Sequence, residues 1–359
     1  MGKSVLYITY RNFGDVSSGS GVRPFRIYNA FINLGFEVKL LEGQQNLFKE
    51  RKKKVAEISK WLDNNTADFC YIELPTGPLF NRCDAQLIQK VHSKGIPIGI
   101  FYRDVYWKYP EWAWPEMNFL KKRTLIHMHK RDLKLFSKSC DCFYMPSKEC
   151  LGLIPDKLFS HSDTLPPGCV IVEKARTEMT RRIFYVGATR QADGIDDALV
   201  ALDELNREGN RIEFILITPK TELEYLQRKD LLSADWITMA EGSGDALNQY
   251  YEICDLGIIP KKRHFYMDMA MSVKAFEFIS HNLPVLTTDT PAMARFVTEN
   301  KCGIVCRDNA KSIKEALLKY YSDENAFKEM KRSTYEAANN NTWEKRVEKI
   351  ATDLMSLRS

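Results

Sequence analysis

The sequence lacks the long apolar segment that a membrane-spanning helix requires. No apolar run reaches the roughly 20 residues needed to cross a bilayer, although 44% of the residues are hydrophobic. The first ten residues, MGKSVLYITY, predict a buried strand and not a secretory signal peptide. With 28% charged residues, the composition is typical of a soluble globular protein. These features predict a cytoplasmic protein.

The sequence also has little that indicates a metal site. Its nine cysteines are an odd number, and neither Cys140 with Cys142 nor Cys302 with Cys306 has partners at the spacing of a zinc site. An Asp-x-Asp motif for a divalent cation is absent. We therefore interpret the cysteines as small apolar residues of a reduced cytosolic protein, and we expect neither a metal nor a cofactor.

The length of 359 residues exceeds what one ordinary core serves and predicts two domains of about 150–200 residues. Predicted strands and helices alternate along both halves, which is typical of the α/β class with parallel sheets. Between the halves, DTLPPGC at 163–169 predicts an extended connection that its prolines stiffen. We place the domains at 1–165 and 166–342.

Charge is unevenly distributed around a net value of +5. Through residue 165 there are 25 Lys and Arg against 17 Asp and Glu, and the remainder has 27 against 30. A predicted helix at 49–65, KERKKKVAEISKWLDNN, concentrates basic residues from Arg51 to Lys54. Two interpretations stay open: a solvated face, or contact with an anionic membrane surface or acceptor. Nucleic acid is not expected, because no recognition motif accompanies the charge.

The most informative stretch is 271–289, MSVKAFEFISHNLPVLTTD, which predicts a short helix, a turn and a buried strand. Lys274 and Glu277 are three residues apart and share a helix face. They are either a solvated pair or part of an anion site. Ser272 precedes the helix, whose first N–H groups and positive dipole end can bind an anion. Lys274 could then hold a phosphate, and Glu277 could accept hydrogen bonds from a ribose.

Two further places lie at the predicted ends of strands. The glycines of the loop after the first strand, Gly14, Gly19 and Gly21, precede a helix expected from Arg23, and such a loop can bind phosphate or be an ordinary connection. The strand IPIGIFYRD ends at Arg103-Asp104, where ligands bind in open α/β sheets. The aromatic stretch 105–119 that follows is either a platform for a sugar acceptor or a lid folded onto its own core.

The stretch 271–289 resembles a block of the retaining glycosyltransferases with the GT-B fold, in particular family 4, whose pattern is SxKxFEYxAxGxPVV. The matching residues are Ser272, Lys274, Phe276, Glu277, Pro284 and Val285. The resemblance implies two Rossmann-like domains facing across a cleft, with the final helix, 343–359, returning to the first. It further implies glycosyl transfer from a nucleotide-sugar, with Lys274 at the donor phosphates and Glu277 at the ribose. Because no Asp-x-Asp motif is present, we expect this transfer to be metal-independent.

The resemblance covers other candidate positions. Gly19, Gly21 and Arg23 match the loop that approaches the donor diphosphate and the acceptor, Arg103-Asp104 match the place near the transferred sugar, and Arg190 is available for the phosphates. As acceptor it implies a glycan, a lipid-linked molecule or another compound, in the synthesis of cell-surface polysaccharide or glycoconjugates. Peripheral contact with an anionic membrane fits such a role.

Three positions depart from the family pattern. Met269, beside Asp268, takes the place of the first glutamate of a Glu-x7-Glu pair, Asp193 stands where a lysine is usual, and Arg103 stands where a histidine is common. The departures favour an alternative, a catalytically silent GT-B subunit that scaffolds or chaperones a partner glycosyltransferase. A sugar-nucleotide epimerase of the same fold would need a histidine and acidic constellation that this sequence lacks.

Overall fold

The structure is a computed structural model that describes residues 3–13, 19–172 and 178–358. The chain divides into two compact units. The first unit runs to Pro166 and includes the residues from Trp343 onward, and the second unit is Pro167–Thr342. The division predicted from the sequence lies one residue before the first limit. The predicted loop residue Gly14 lies outside the described residues.

The first unit is built on one parallel six-stranded sheet with the order β2-β1-β3-β4-β5-β6. Its strands are β1 Ser4–Thr9, β2 Glu37–Leu41, β3 Phe69–Glu73, β4 Ile98–Phe101, β5 Cys142–Met145 and β6 Ser162–Thr164. Its helices up to this point are α1 Gly19–Asn33, α2 Phe48–Asn64, α3 Arg82–Ser93, α4 Pro110–Ala113, α5 Phe119–Ser139 and α6 Lys148–Leu151. The inner strands β3, β4 and β5 are buried along their whole length because helices cover the sheet.

The edge strand β6 differs from the sequence prediction. The sequence predicts an extended connection over 163–169, whereas Ser162–Thr164 pair in parallel with Phe143–Met145 of β5. The segment Ser-Asp-Thr is short, polar and mostly exposed, so it has none of the apolar pattern from which strands are predicted. Its strand conformation comes from the backbone groups that β5 offers.

The second unit has a parallel six-stranded sheet with the order β12-β11-β10-β7-β8-β9. Its strands are β7 Arg182–Val186, β8 Glu213–Ile217, β9 Ile237–Ala240, β10 Leu256–Ile259, β11 Val285–Thr288 and β12 Gly303–Cys306. Its helices are α7 Ile195–Arg207, α8 Asn248–Tyr251, α9 Val273–Ser280, α10 Pro291–Glu299, α11 Ala310–Ser322 and α12 Glu324–Asn340. This strand order is that of the Rossmann fold, and the first unit has the other common doubly wound order, so the prediction of two Rossmann-like α/β domains is confirmed.

The last helix, α13 Trp343–Met355, belongs to the core of the first unit. Trp343, Val347 and Leu354 are buried on the face that joins the cluster around Tyr7 and Phe31. These apolar positions recur at the spacing of one helix face, and this face packs against the first unit.

The basic segment of α2 is in part structural, which corrects the interpretation of Arg51 as a surface charge. The Arg51 side chain is fully buried, with Nη2 lying 2.8 Å from Oδ1 of Asp84 and Nη1 donating to the carbonyl of Thr9 at 2.8 Å. Lys52 and Lys53 are exposed and remain available to an anionic surface. Among the described residues, no helix has both the length and the apolarity needed to cross a membrane.

Each sheet has one place where the strand order reverses. In the first unit it lies between β1 and β3, and in the second between β7 and β10. Connections leave the two strands in opposite directions there, so a crevice forms beyond their carboxyl ends, and ligands of open α/β sheets bind in this crevice.

Candidate functional site

Two loops meet at the reversal point of the second unit. The first follows β7 and runs from Gly187 to Gly194, and the second follows β10 from Pro260 to the start of α9. Gly194 has φ +70°, and a Cβ there would collide with the carbonyl oxygen of Pro260. Only glycine fits this position, since it has both the left-handed backbone and the close approach to another backbone. The first loop is therefore held directly against the second.

Lys274 lies where these loops converge. Its Nζ lies 5.2 Å from the centre of the Tyr185 ring, and a Cβ on Gly187, where φ is +140°, would collide with this ammonium. The pKa of Lys274 is lowered to about 8, mainly by burial and further by the nearby charge of Lys261, while Asp193 and Glu277 partly oppose the shift. Among the described residues the Lys274 ammonium has no ion-pair partner. It is a desolvated cation beside a glycine backbone, an arrangement suited to an incoming anion.

The start of α9 adds to the positive potential around Lys274. The helix begins at Val273, and the Ser272 side chain makes no capping hydrogen bond. The Ser272 side chain therefore satisfies none of the first N–H groups of the helix, although the N–H of Ala275 donates to the Ser272 carbonyl at 3.1 Å. These N–H groups carry the positive end of the helix dipole. The backbone N–H of Ser272 approaches Met293 Sδ at 3.4 Å, a weak acceptor. The predicted helix with Ser272 at its start is confirmed, whereas its binding role stays a prediction.

Asp193, which stands where the family pattern has lysine, is bound by a second lysine. The carboxylate of Asp193 is buried and ion-paired with Lys261, and it accepts a hydrogen bond from the backbone N–H of Arg190 at 3.0 Å. Sequence reasoning missed Lys261. The signal was the basic run at 261–263 directly after the apolar strand β10. Lys261 and Lys274 bring two positive charges to this place, and Asp193 is paired with the first of them.

Arg190 has an exposed side chain at the edge of the same loop. Its side chain is 64% exposed, with Nη2 3.5 Å from Oε1 of Glu222 and the guanidinium 5.3 Å from the Tyr225 ring centre. Lys274 is by contrast desolvated, so an anion in the crevice would interact more strongly with Lys274 than with Arg190. Arg190 remains a predicted phosphate contact.

Glu277 lies one turn after Lys274 on α9, and its side chain is half-buried. Its charge raises the pKa of Lys274 and, after the larger effect of burial, that of Tyr251. The position of the first glutamate of the family pair offers no free carboxylate. Met269 is only 4% exposed, and the adjacent Asp268 carboxylate forms two bonds to Arg263 at 2.8 and 2.9 Å.

In the first unit, the structure brings Arg23 and Arg103 together at the carboxyl ends of the strands. Arg23 is buried, with Nε 2.9 Å from Oε1 of Glu73 and Nη1 donating to the Leu165 carbonyl at 3.0 Å. Burial lowers the pKa of Arg103, Arg23 and Arg11 lower it further, and Glu73 opposes them. These contacts of Arg23 join α1 to the end of β3 and to the segment after β6.

Asp104 and the glycines complete the predicted set. Burial raises the pKa of Asp104 to about 7, although the Tyr106 N–H, 3.3 Å from Oδ1, and the Arg103 charge both lower it. A carboxyl group with this pKa changes charge near neutral pH, as groups at functional sites often do. Gly19 is the first residue of α1 and Gly21 lies in its first turn, so the helix begins four residues earlier than predicted. Within the described residues, no cluster of three His, Cys, Asp or Glu could hold a metal ion.

Comparison with known proteins places these features in a family context. Residues 180–323 match the sequence model of the family described as "Glycosyl transferases group 1", which covers less than half of the chain. Sequence comparison with curated proteins gives no match.

Three solved structures are similar over nearly the whole chain. A glycosyltransferase from Rickettsia africae ESF-5 has TM-score 0.66 and 11% identity, covering 99% of both chains. Anabaena Alr3699/HepE in complex with UDP has TM-score 0.64 and 11% identity, covering 98% of this chain and 100% of that one. WaaG, a glycosyltransferase involved in lipopolysaccharide biosynthesis, has TM-score 0.59 and 16% identity, covering 98% and 99%. Residues 180–323 are thus similar in sequence to the glycosyl transferases group 1 family, and the chain as a whole has the fold of the GT-B glycosyltransferases.

Proposed function

We propose that this protein transfers a glycosyl unit from a nucleotide-sugar to an acceptor, with retention at the anomeric carbon, as in the family 4-like enzymes that its sequence resembles. The donor diphosphate binds at the reversal point of the second unit. The observation that carries the proposal is Lys274, a desolvated cation at the start of α9 beside the backbone of Gly187. The match to the glycosyl transferases group 1 family supports it.

Lys274 and the first N–H groups of α9 bind the diphosphate in this proposal. Their positive charge stabilises the negative charge that grows on the diphosphate as it leaves an oxocarbenium-like sugar carbon. Lys261 contributes through its position beside Lys274, although Asp193 neutralises part of its charge. Charge stabilisation by these groups needs no metal ion, which is why we propose metal-independent transfer.

Glu277 binds the donor ribose in the same arrangement. It lies on α9 one turn beyond Lys274, so the two side chains are placed for successive parts of one nucleotide. Ser272 and Arg190 contribute at the phosphates. Uridine diphosphate is a sensible first probe, because the similar Anabaena protein was solved with UDP.

The first unit supplies the acceptor side. Gly19, Gly21 and Arg23 are the proposed contacts of this unit with the donor and acceptor, and Arg103 and Asp104 are its proposed contacts with the transferred sugar. The acceptor is a glycan or a lipid-linked molecule in cell-surface polysaccharide or glycoconjugate synthesis, a pathway class that WaaG represents among similar structures. A cytoplasmic protein that associates peripherally with the membrane suits this role. The comparisons lend no support to the alternative of a silent scaffold subunit.

The proposal is tested first by binding. A panel of nucleoside diphosphates and nucleotide-sugars is screened by thermal shift, since a ligand at 100 times its Kd stabilises the native state by about 2.7 kcal/mol. Hits are then measured by calorimetry on wild type, Glu277→Gln and the control Lys311→Met, at an exposed residue of the same unit. We expect Glu277→Gln to lose about 1.5–3 kcal/mol of binding free energy and the control none. A folded protein that binds none of the panel would overturn the donor site.

Activity and stereochemistry form the second test. Donor hydrolysis in the absence of acceptor, followed by NMR of the anomeric proton, should show release of the sugar without added metal and in the presence of a chelator. Transfer that stops on chelation contradicts the proposed metal independence. An inverted product contradicts retention and leaves the donor site standing.

A further inference from the structure

The first unit contains a concave site that the proposed function does not use. It is a groove of about 670 Å³ between α5, the residues before α4 and the segment after α6. This volume lies within the range of small-molecule sites in proteins. None of the residues assigned to the proposed transfer reaction lines it.

One wall of the groove is a face of α5. The lining residues of α5 recur at intervals of three and four, which places them along one side of the helix. They are Ile126, Lys130, Leu133, Lys134 and Ser137. Ile126 is half-buried and Leu133 is buried. The wall therefore has an apolar base with lysine side chains beside it.

Another part of the lining is apolar and held in place. Trp107 and Leu158 line it. The Trp107 ring stacks on His129, with ring centres 5.1 Å apart and planes 8° from parallel, and only 4% of the residue is exposed. A stacked, buried ring keeps its position, so this wall is preformed for a ligand.

The charge of the groove has one sign. Lys108, Lys130 and Lys134 line it, and its described lining includes no carboxylate. Lys108 donates a hydrogen bond to the Leu153 carbonyl. Burial lowers the pKa of Lys108, and the charge of Lys130 lowers it further, so these ammonium groups interact unfavourably with each other. An anion placed between them would remove this repulsion.

We propose that the groove binds a free single-chain anionic amphiphile, a long-chain fatty acid or an acyl compound with a similar headgroup. The acyl chain lies between Trp107, Ile126 and Leu158, and the carboxylate lies among Lys108 and Lys130. Apolar walls exclude a wholly polar anion such as free phosphate as the best ligand, because it would leave them uncovered. A bounded groove of this volume suits one molecule better than the surface of a bilayer.

The experiment measures binding of laurate, myristate and palmitate to the full chain by calorimetry below their micellar concentrations. Since each buried methylene adds a fixed increment of transfer free energy, the Kd should fall about tenfold for every two methylenes. Dodecyl maltoside, which is neutral, and dodecylamine, which is cationic, should each bind at least tenfold more weakly than laurate. Equal binding of all three headgroups, or a Kd that does not change with chain length, would overturn the proposal.

Matched variants locate the site. Lys130→Glu combined with Lys134→Glu should weaken myristate binding at least tenfold, whereas Lys138→Glu, exposed on the same helix and outside the groove, should not change it. A brominated fatty acid should quench tryptophan fluorescence, and Trp107→Phe should remove most of this quenching while calorimetric binding persists. Melting temperatures confirm that each variant is folded. Binding that survives the double variant, or that appears only with anionic vesicles, would contradict the assignment.

Discussion

Lys274, the proposed ligand of the donor phosphates, lowers the stability of the native protein at neutral pH. Its pKa of about 8, against an ordinary 10.5, means that the native protein accommodates the ammonium less well than water does. Between pH 8 and 10.5 the unfolded chain holds a proton that the native chain has released. The contribution of Lys274 to the free energy of unfolding therefore rises with pH across this window, and below pH 8 the full cost of the buried charge remains.

We predict that Lys274→Met raises the melting temperature at pH 7 and lowers activity. Methionine keeps an unbranched stem for packing and removes the charge, so each kcal/mol gained should appear as about 2–4 °C for a unit of this size. Turnover should fall about a hundredfold or more, and by a larger factor than the donor KM rises, because the charge acts mainly on the leaving diphosphate. Calorimetry at pH 8 in buffers of different ionisation enthalpy should show proton uptake on UDP binding by wild type only. Wild-type turnover in the variant would contradict the role of Lys274.

Asp104 has the opposite kind of shift. Its pKa of about 7, raised from 3.8 mainly by burial, means that the native protein holds a proton between about pH 4 and 7 that the unfolded chain has lost. The contribution of Asp104 to the free energy of unfolding is present below pH 4 and is lost as pH rises to 7.

We predict that Asp104→Asn makes unfolding less dependent on pH in this window and stabilises the protein at pH 8. The amide resembles the protonated carboxyl group in shape and carries no charge that burial would penalise. Denaturant unfolding at pH 5 and pH 8 measures the effect, with Asp156→Asn, at an exposed residue of the same unit, as the control. If Asp104→Asn and wild type lose the same stability between the two pH values, the raised pKa is wrong.

At the scale of elements, the contact between the loops after β7 and β10 depends on Gly194, whose neighbours leave no space for a side chain. Gly194 and Gly209 both have a positive φ, of +70° and +83°. A Cβ at Gly194 meets the Pro260 carbonyl, whereas a Cβ at Gly209 meets nothing within 4 Å. Comparing alanine variants at these two glycines therefore separates the cost of backbone strain from the cost of the collision between the two loops.

We predict that Gly194→Ala destabilises the protein clearly more than Gly209→Ala does. Both variants carry the cost of a left-handed alanine, on the order of 1–3 kcal/mol. Only Gly194→Ala must also move Pro260 away, together with the adjacent Lys261 that binds Asp193, so we expect nucleotide binding to weaken in this variant alone. Urea unfolding and calorimetry with UDP measure the two effects. Equal stability losses and equal affinities would show that the loops are not held together at this point.

At the scale of the whole molecule, the basic first half predicts reversible association with anionic lipid surfaces. Exposed lysines such as Lys52 and Lys53 of α2 are available for it, and Arg51 is not, because it is buried against Asp84. Attraction between solvent-exposed charges is screened at high salt, where the Debye length falls to about 3 Å at 1 M.

We predict that sedimentation with anionic vesicles falls steeply between low and high salt, and that Lys52→Glu with Lys53→Glu removes most of it. Arg51→Met should instead lower the melting temperature, because it leaves Asp84 buried without its partner, at a cost of about 3–5 kcal/mol. Lys311→Glu, in the second unit, is the control. If the double variant binds vesicles as well as wild type does, the basic face of α2 is a solvated surface and does not bind membranes.

The sequence by itself determined most of the helices and strands and which of their faces are buried. The buried strands, the two-domain α/β organisation and the helix-turn-strand stretch with Lys274 and Glu277 on one face all follow from local apolar spacing, because that spacing repeats with the period of the helix or strand. The candidate residues of this stretch could be chosen before the fold was known, since their side chains and helix position already suggest anion binding.

Only the tertiary structure decided which of these residues meet. Strand order places the β7 and β10 loops together, and this brings Lys261 to Asp193 and Lys274 to Gly187 from sequence positions about 70–90 residues apart. Contacts between distant segments also made β6 a strand, through its pairing with β5, and buried Arg51 against Asp84, although both have polar local sequences. Local patterns specify which face of an element is buried, but the partner of a buried charge is fixed by contacts between distant segments, which no local spacing encodes.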